Sequence, residues 1–139
     1  MTKTILFSGR FDPPHLGHIM TLQRLALEYD KVIVCILDYP QQFYPIKDRL
    51  ETMATALSGC LGTFVVVTNS VNFENITKED VDTLPAFDVY GSGNTICYLR
   101  MNALGYKVVP VNRTPGYKAS DSVKFQKLMK FLEENGFLR

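Results

Sequence analysis

Short apolar runs rich in β-branched residues alternate along the chain with longer segments whose apolar positions recur at helical spacing. The runs predict five buried strands, over residues 4–8, 31–37, 63–68, 87–90 and 106–111. The spaced segments predict helices over residues 17–29, 46–57, 77–84, 94–104 and 120–135. Because strands and helices alternate almost from end to end, we expect a parallel sheet covered by helices on both faces.

Right-handed crossovers between such strands give an α/β fold, a single Rossmann-like doubly wound domain with a five-stranded parallel sheet between helices. Pro110 in the last strand predicts that this strand lies near an edge of the sheet. Ligands of doubly wound sheets bind beyond the carboxyl ends of the strands, where the strand order reverses. The loops after the first, fourth and fifth strands are therefore the candidate site.

Length and charge narrow the functional classes. The 139 residues fit one domain, over residues 1–139, and the formal net charge of +1 provides no broad basic face for nucleic acid. No apolar run is long enough to span a bilayer, and the amino terminus lacks a signal-peptide layout. The three cysteines have no metal-ligand or redox spacing and read as buried thiols, which favours a cytoplasmic location.

The loop after the first strand carries the most specific pattern, GRFDPPHLGHI over residues 9–19. It holds both histidines of the chain, His15 and His18, and their spacing of three positions would aim both imidazoles the same way around a helical turn. The amino end of a helix favours anions, Gly9 allows close backbone approach, and two prolines stiffen the entry. Together these features predict a phosphate-binding loop.

Two other interpretations of the histidines exist. A two-histidine zinc site would need further ligands, which neither a cysteine pair nor another histidine supplies. A chance placement on the surface would not explain why the pair follows the first strand, where a ligand loop is expected. The phosphate-binding interpretation is therefore preferred.

The segment GRFDPPHLGH resembles the HxGH signature of the cytidylyltransferase-like nucleotidyltransferase superfamily. That superfamily includes glycerol-3-phosphate cytidylyltransferase, nicotinamide-mononucleotide adenylyltransferase and phosphopantetheine adenylyltransferase. The resemblance implies transfer of a nucleoside monophosphate from a nucleoside triphosphate to a phosphorylated small molecule, with release of pyrophosphate. It also implies that His15 and His18 hold the triphosphate and stabilise charge as the α-phosphorus is attacked.

The same resemblance implies a nucleotide site around the first strand and its loop. Its expected lining is Ser8, Gly9, Arg10, Phe11, Asp12 and Gly17. The role of Asp12 stays open, because its carboxylate could instead cap the turn. Mg²⁺ is expected on the triphosphate, held by phosphate oxygens and water, and no metal site made of protein ligands alone is expected.

The segment after the second strand, YPIKDRLETM over residues 44–53, is similar to a family segment in which an arginine begins a helix. The resemblance makes Lys47 and Arg49 candidates for binding an acceptor phosphate. Spacing alone leaves another possibility, solvated charges on a polar helix face. Gln41 and Gln42 stand where some relatives have lysines, which leaves the identity of the acceptor open.

Two later loops complete the resemblance. The sequence GSGN over residues 91–94 looks like a stretch of archaeal nicotinamide-mononucleotide adenylyltransferases, which assigns Gly91, Ser92 and Asn94 to the nucleotide; a structural turn is the alternative. RTPGYKAS over residues 113–120 is similar to the closing motif of glycerol-3-phosphate cytidylyltransferases. It assigns Arg113, Thr114 and Ser120 to the nucleotide and makes Lys118 a third catalytic candidate, whereas a surface loop without contacts is the alternative.

Three questions stay open at the level of sequence. The first is whether the donor is ATP or CTP, since Arg10 and residues 91–94 favour ATP and residues 113–116 favour CTP. The second is whether chemistry persists, because Ala119, Gln41 and Gln42 depart from the family pattern and are compatible with a non-catalytic nucleotide-binding regulatory module. The third is the oligomeric state, since Phe43 and Tyr44 are compatible either with a homodimer interface or with ordinary packing.

Overall fold

The computed structural model describes residues 3–111. The strands within this range are Thr4–Gly9 (β1), Lys31–Leu37 (β2), Phe64–Asn69 (β3), Val89–Ser92 (β4) and Val108–Pro110 (β5). The α-helices in the same range are Leu16–Glu28 (α1), Ile46–Ser58 (α2), Lys78–Val81 (α3) and Thr95–Ala103 (α4), and a single 3-10 turn, Phe73–Asn75, precedes α3. The predicted bounds of the second strand are confirmed to the residue, whereas the helix predicted over residues 120–135 lies outside the described range.

All neighbouring strands of the sheet pair in parallel, in the order β3-β2-β1-β4-β5. The predicted doubly wound parallel architecture is therefore confirmed. β5 lies at an edge, as Pro110 indicated, because a proline there removes no hydrogen bond from a central strand.

Two hydrophobic cores cover the two faces of the sheet. On one face Ile5 and Val34 pack with residues of α1 and α2, and on the other Leu6, Ile33 and Tyr90 pack with the 3-10 turn, α3 and α4. Successive residues of β1 and β2 thus point into different cores, which is why these strands read as unbroken apolar runs.

The strand order reverses at β1. The chain first builds outward through β2 and β3, and then returns to add β4 and β5 on the other side of β1. The loops that leave β1 and β4 at their carboxyl ends therefore diverge and frame a crevice between them. The histidine motif lies in one of these loops and residues 93–94 lie in the other.

The predicted end of the fourth strand at residue 90 was wrong, because β4 continues through Gly91 to Ser92. A Cβ atom added to Gly91 would lie 2.9 Å from Cδ1 of Ile5 and 2.9 Å from Cγ2 of Val111. The glycine therefore permits β4 to pack against these two side chains, so it belongs to the core of the sheet and not to the turn that follows.

Candidate functional site

Both histidines belong to the first turn of α1. His15 is the N-cap residue, and its Nδ1 accepts a hydrogen bond from the backbone N–H of His18 at 3.4 Å. In return, Nδ1 of His18 accepts from the backbone N–H of His15 at 3.1 Å. The two imidazoles stack with their centroids 3.6 Å apart and their planes 18° from parallel. The expectation that both rings lie on one side of the first turn matches this geometry.

The reciprocal cap decides the tautomer of each neutral ring. A nitrogen that accepts a hydrogen bond carries no proton, so the hydrogen of each neutral imidazole is on Nε2. Each of the two stacked rings therefore carries its N–H donor on the nitrogen across the ring from the one that accepts from the backbone. Such a pair is suited to oxygen atoms on successive groups of a polyphosphate, beside the positive end of the helix dipole.

Phe11 supports the histidines from behind. Its ring is 3% exposed and contacts the His18 ring edge-on, with the centroids 4.8 Å apart. Its backbone has φ = 47°, in the left-handed region that a phenylalanine rarely adopts. A Cβ atom on Gly9 would lie 3.1 Å from the Phe11 ring. Both residues were expected to line the nucleotide site; here Gly9 makes room for Phe11, and Phe11 orients His18.

Asp12 is buried and points into the protein. Its carboxylate accepts hydrogen bonds from the Tyr39 hydroxyl and from the backbone N–H groups of Phe43 (2.6 Å) and Tyr44 (2.8 Å). All three donors belong to the loop between β2 and α2 (residues 38–45, the β2–α2 loop). The carboxylate of Asp12, which was expected to line the nucleotide site, thus joins the histidine loop to the β2–α2 loop by hydrogen bonds.

Arg49 is also buried, with 1% of its surface exposed. The interpretation of Arg49 as a solvated charge on a polar helix face was therefore wrong. Its guanidinium donates to four oxygen atoms: the carbonyls of Tyr44 (2.9 Å), Arg10 (2.7 Å) and Leu37 (2.9 Å), and Oε1 of Gln42. Its Nε also lies 3.9 Å from Oδ1 of Asp12. The inward orientation differs from the expected contact with an acceptor phosphate, whereas Lys47 is exposed.

Two guanidinium groups lie over the ring of Tyr39. The Cζ atoms of Arg10 and Arg49 are 4.6 Å and 5.4 Å from the centroid of its ring. Burial, together with the hydrogen bond to Asp12, raises the pKa of Tyr39 to about 12. The hydroxyl therefore stays protonated at neutral pH and remains a donor to the carboxylate. Arg10 is exposed, so its stacked guanidinium faces solvent beside the histidine loop.

Buried hydroxyls connect the other side of the crevice. Oγ of Ser8, near the end of β1, lies 2.5 Å from the hydroxyl of Tyr90 in β4. Burial raises the pKa of Tyr90, and hydrogen bonds to Ser8 and Ser92 oppose that rise. Oγ of Ser92 in turn accepts from the backbone N–H of Asn94 at 3.0 Å. Ser8 and Ser92, both expected at the nucleotide, thus join β1 to the loop after β4.

Asn94 begins α4 as its N-cap. Its Oδ1 accepts from the backbone N–H groups of Ile96 (2.9 Å) and Cys97 (3.3 Å). The side chain remains exposed at the crevice, as does Gly93 before it. The loop is therefore a structural turn that also presents polar groups to solvent.

Neither Tyr39 nor Tyr90 was predicted to be a site residue. Tyr39 lies two positions after the end of β2, and its place beyond the carboxyl end of a strand is the signal that could have found it. Tyr90 had no such signal, because a tyrosine in an apolar strand reads as core. Gly17, the remaining predicted residue of the first loop, is buried in the first turn of α1. Four predicted site residues lie outside the described range: Arg113, Thr114, Lys118 and Ser120.

The chemistry of the described residues suits an anion. Within residues 3–111, no group of three or more histidine, cysteine, aspartate or glutamate side chains is arranged to hold a metal ion. The first loop instead gathers imidazole N–H groups, a helix amino end and the exposed guanidinium of Arg10. In the same range, none of the helices is both long and apolar enough to cross a membrane.

A model of the cytidylyltransferase-like family matches residues 6–133. A nicotinamide-nucleotide adenylyltransferase from Thermococcus kodakarensis is 31% identical over 120 residues, which cover 78% of this chain and 63% of the relative. A phosphopantetheine adenylyltransferase from Natranaerobius thermophilus is 48% identical over 40 residues, which cover 29% of this chain and 25% of the relative. The chain thus spans less than two thirds of the length of these relatives.

Solved structures have the same fold. A bifunctional NMN adenylyltransferase/ADP ribose pyrophosphatase from Francisella tularensis, in complex with AMP and a manganese ion, has a TM-score of 0.64 at 15% identity, over 99% of this chain and 51% of that one. A lipopolysaccharide core biosynthesis protein from Thermoplasma volcanium has a TM-score of 0.56 at 17% identity, over 82% of this chain and 99% of that one. At these identities the similarity concerns the fold.

Proposed function

The chain belongs to the cytidylyltransferase-like family, and we propose that it is a nucleotidyltransferase. It moves a nucleoside monophosphate from a nucleoside triphosphate to a phosphorylated small molecule and releases pyrophosphate. The observation that carries this proposal is the stacked pair of His15 and His18 at the amino end of α1, in which Nδ1 of each ring is hydrogen-bonded to the backbone. In this proposal residues 1–139 form one nucleotidyltransferase domain.

The reaction requires an oxygen of the acceptor phosphate to attack the α-phosphorus in line. The new P–O bond forms as the bond to the bridging oxygen of the β-phosphate breaks, and pyrophosphate leaves with the electron pair. Catalysis of this kind depends on alignment and on the stabilisation of charge, so it needs no nucleophilic side chain. His15 and His18 donate to the triphosphate oxygens, and Lys118 adds a positive charge at the same group.

The remaining predicted residues have two kinds of role in this proposal. Direct contacts with the nucleotide come from the side chains of Arg10, Asn94, Arg113, Thr114 and Ser120. The other nucleotide-site residues shape the crevice from inside the protein, as their burial, close packing or hydrogen bonds support: Ser8, Gly9, Phe11, Asp12, Gly17, Gly91 and Ser92. The exposed Lys47 meets the acceptor phosphate, and Arg49 acts behind it.

ATP is the donor that we propose, because the relatives are named as adenylyltransferases. The names also supply two candidate acceptors, nicotinamide mononucleotide and phosphopantetheine, of which the first comes from the relative that matches the larger share of this chain. CTP remains the competing donor, since the motif over residues 113–116 favours it.

Mg²⁺ enters this scheme as part of the substrate, bound to the triphosphate. The nitrogen donors of the first loop suit phosphate oxygens and are poor partners for this cation, which prefers oxygen ligands. The ion would offset the negative charge of the phosphates. The manganese ion and AMP in the Francisella structure support the use of a divalent cation.

We also propose a cytoplasmic location and a homodimer. Cys35, Cys60 and Cys97 are free thiols, which supports a reducing compartment. Phe43 is 77% exposed, and an exposed aromatic ring is typical of a contact surface. Sedimentation velocity of the wild type and of Phe43→Ser tests the dimer: a monomeric wild type would refute it.

The proposed reaction is tested by pairing donors with acceptors. Thermal-shift measurements with ATP, CTP, GTP and UTP identify the donor, because a bound ligand raises the apparent stability. Pyrophosphate release is then measured with nicotinamide mononucleotide, phosphopantetheine and glycerol 3-phosphate, with His18→Ala as the matched control. We expect turnover with ATP, lowered by roughly 100- to 1000-fold in the variant because one aligned donor is lost.

A wild type that releases no pyrophosphate with any pair, but is stabilised by one nucleotide, would instead support the regulatory module. Near-normal turnover of His18→Ala would remove His18 from the proposed mechanism.

A further inference from the structure

We propose that Asp12 and Arg49 are positioning residues that fix the β2–α2 loop as the acceptor-side wall of the site. The inference rests on the proposed function and assigns a role to two buried charges that the transfer reaction does not itself require. Each side chain is anchored in one element and holds atoms of another, so the pair joins parts of the chain that lie far apart in sequence.

The contacts of Asp12 run from the histidine loop to the β2–α2 loop. Both carboxylate oxygens are used: Oδ2 accepts from the hydroxyl of Tyr39 and the N–H of Phe43, and Oδ1 accepts from the N–H of Tyr44. The backbone of the β2–α2 loop is therefore held by a residue that lies three positions before His15.

The contacts of Arg49 run in the opposite direction. From the first turn of α2, its Nη1 reaches the carbonyl of Arg10 in the histidine loop and that of Leu37 at the end of β2. Its Nε holds the carbonyl of Tyr44, the residue whose N–H is bonded to Asp12. The backbone of Tyr44 is thus hydrogen-bonded at its N–H by the carboxylate of Asp12 and at its carbonyl by the guanidinium of Arg49.

The burial of both charged side chains costs free energy. Arg49 is 1% exposed and Asp12 is 4% exposed, and a charge out of water is tolerated only when it is paired and hydrogen-bonded. A neutral residue of similar size would be easier to bury at either position. The charges supply several hydrogen bonds of defined direction, which fix the relative position of two loops more closely than apolar packing would.

The position of the β2–α2 loop assigns it to the acceptor. The crevice between β1 and β4 lies on one side of the histidines, and β2 lies on the other. In-line attack brings the acceptor from the side opposite the leaving pyrophosphate, so the two substrates need separate walls. The loop and the start of α2 expose polar side chains that such a wall would use, Gln41 and Lys47. The same network holds Tyr39, on whose ring Arg10 stacks.

The first test is steady-state kinetics of Asp12→Asn and Arg49→Lys, with ATP and nicotinamide mononucleotide as substrates and with phosphopantetheine as the alternative acceptor. Asp12→Asn keeps the size of the side chain, Arg49→Lys keeps the charge, and each loses the hydrogen-bond pattern. We expect KM for the acceptor to rise about tenfold, since a hydrogen bond to a charged group is lost, and KM for ATP to rise clearly less, because the cap of α1 does not depend on either charge.

Two matched variants separate positioning from loss of stability. Asp82→Asn makes the same substitution at an exposed aspartate at the end of α3, and Ile33→Val weakens the core without touching either loop. We expect both controls to leave the ratio of the two KM values unchanged. Equal rises of both KM values in Asp12→Asn, or the same split in Ile33→Val, would overturn the inference.

A second measurement does not depend on turnover. In the wild type the N–H groups of Phe43 and Tyr44 are bonded to Asp12, so their exchange with deuterium is slowed. We expect Asp12→Asn to lose that protection, with the N–H of His18 still protected by its cap. Tyr39→Phe, which removes one partner of Asp12 and no charge, serves if the other variants do not fold; it should accelerate exchange at the same two residues.

The two measurements distinguish the two proposals. A wild type without transferase activity would count against the proposed function, whereas lost protection in Asp12→Asn would still support the coupling of the loops. Unchanged exchange of Phe43 and Tyr44 in Asp12→Asn would overturn that coupling whatever the activity.

Discussion

Two helices begin beside the crevice, and their caps differ. Asn94 caps α4 through Oδ1, which accepts from two backbone N–H groups, and asparagine is among the residues most favoured at this position. His15 caps α1 through Nδ1, although an imidazole is not among the favoured caps. The cap of α1 leaves a second ring nitrogen on the far edge, where it can donate to a ligand. The use of histidine where asparagine would serve the helix better therefore indicates a second purpose.

The residues that lie behind the two caps also differ. Behind His15 lie the buried charges of Asp12 and Arg49, which join two loops. Behind Asn94 lie neutral hydroxyls, in the series that runs from Ser8 through Tyr90 to Ser92. The histidine loop thus combines buried charges with hydrogen-bond donors, whereas the loop after β4 is held in place by neutral hydroxyl groups.

The comparison is tested most strongly by giving α1 the cap of α4. We expect His15→Asn to keep the cap, because asparagine accepts from the same backbone N–H, but to lose the Nε2–H donor. Pyrophosphate release should fall by roughly 100- to 1000-fold, the usual effect of removing one aligned donor. The melting temperature should stay close to that of the wild type.

His15→Ala is the control, since it removes both the cap and the donor and should lose about 1 kcal/mol of unfolding free energy as well. If His15→Asn were active, or as unstable as His15→Ala, the double role of His15 would be refuted.

A smaller effect, on the free energy of unfolding, is expected from Gly91→Ala in β4, on the other side of the crevice. The added methyl group would lie 2.9 Å from both Ile5 and Val111, and overpacking of this kind costs about 1–3 kcal/mol. Urea unfolding measures the loss. The double variant Ile5→Val with Gly91→Ala should recover part of it, because valine lacks the Cδ1 atom in the close contact. Full stability of the single variant would contradict the tight packing of β4.

The smallest effect is expected from Asn94. Asn94→Ala should lower the free energy of unfolding by about 1 kcal/mol, and Asn94→Ser should restore most of it, because serine is an equally favoured cap. Isothermal titration with ATP then separates the cap from the proposed nucleotide contact. If both variants bind ATP equally well and as tightly as the wild type, Asn94 has only a structural role.

The fold could be predicted well because its signals are local. A run such as KVIVCIL, over residues 31–37, is apolar on both faces and is bounded by polar residues, so the strand was placed to the residue. Gly91 was misplaced because a glycine after a short apolar run reads as a turn. Its actual role depends on Ile5, which lies in another strand and far away in the sequence, and single-sequence patterns carry no information about such a contact.

The residues of the candidate site likewise divide into those with a local sequence signal and those whose role depends on contacts made by the fold. His15 and His18 could be found because their spacing, the preceding strand and the following helix all lie within one segment. The burial of Arg49 could not be found, because its partners are carbonyls of three separate residues that the fold brings together. An arginine on a helix otherwise reads as a surface charge, and Asp12 was ambiguous for the same reason.

The cap on α1 has a consequence for acid conditions. Nδ1 of His15 holds the backbone through its lone pair, and an imidazolium has no lone pair to offer. Protonation of that nitrogen would therefore remove the side-chain cap, while the backbone hydrogen bonds from the N–H groups of His18 and Ile19 to the carbonyl of His15 would remain. The lone pair of Nδ1 is thus committed to the helix, and the proton of the neutral ring is left on the opposite nitrogen.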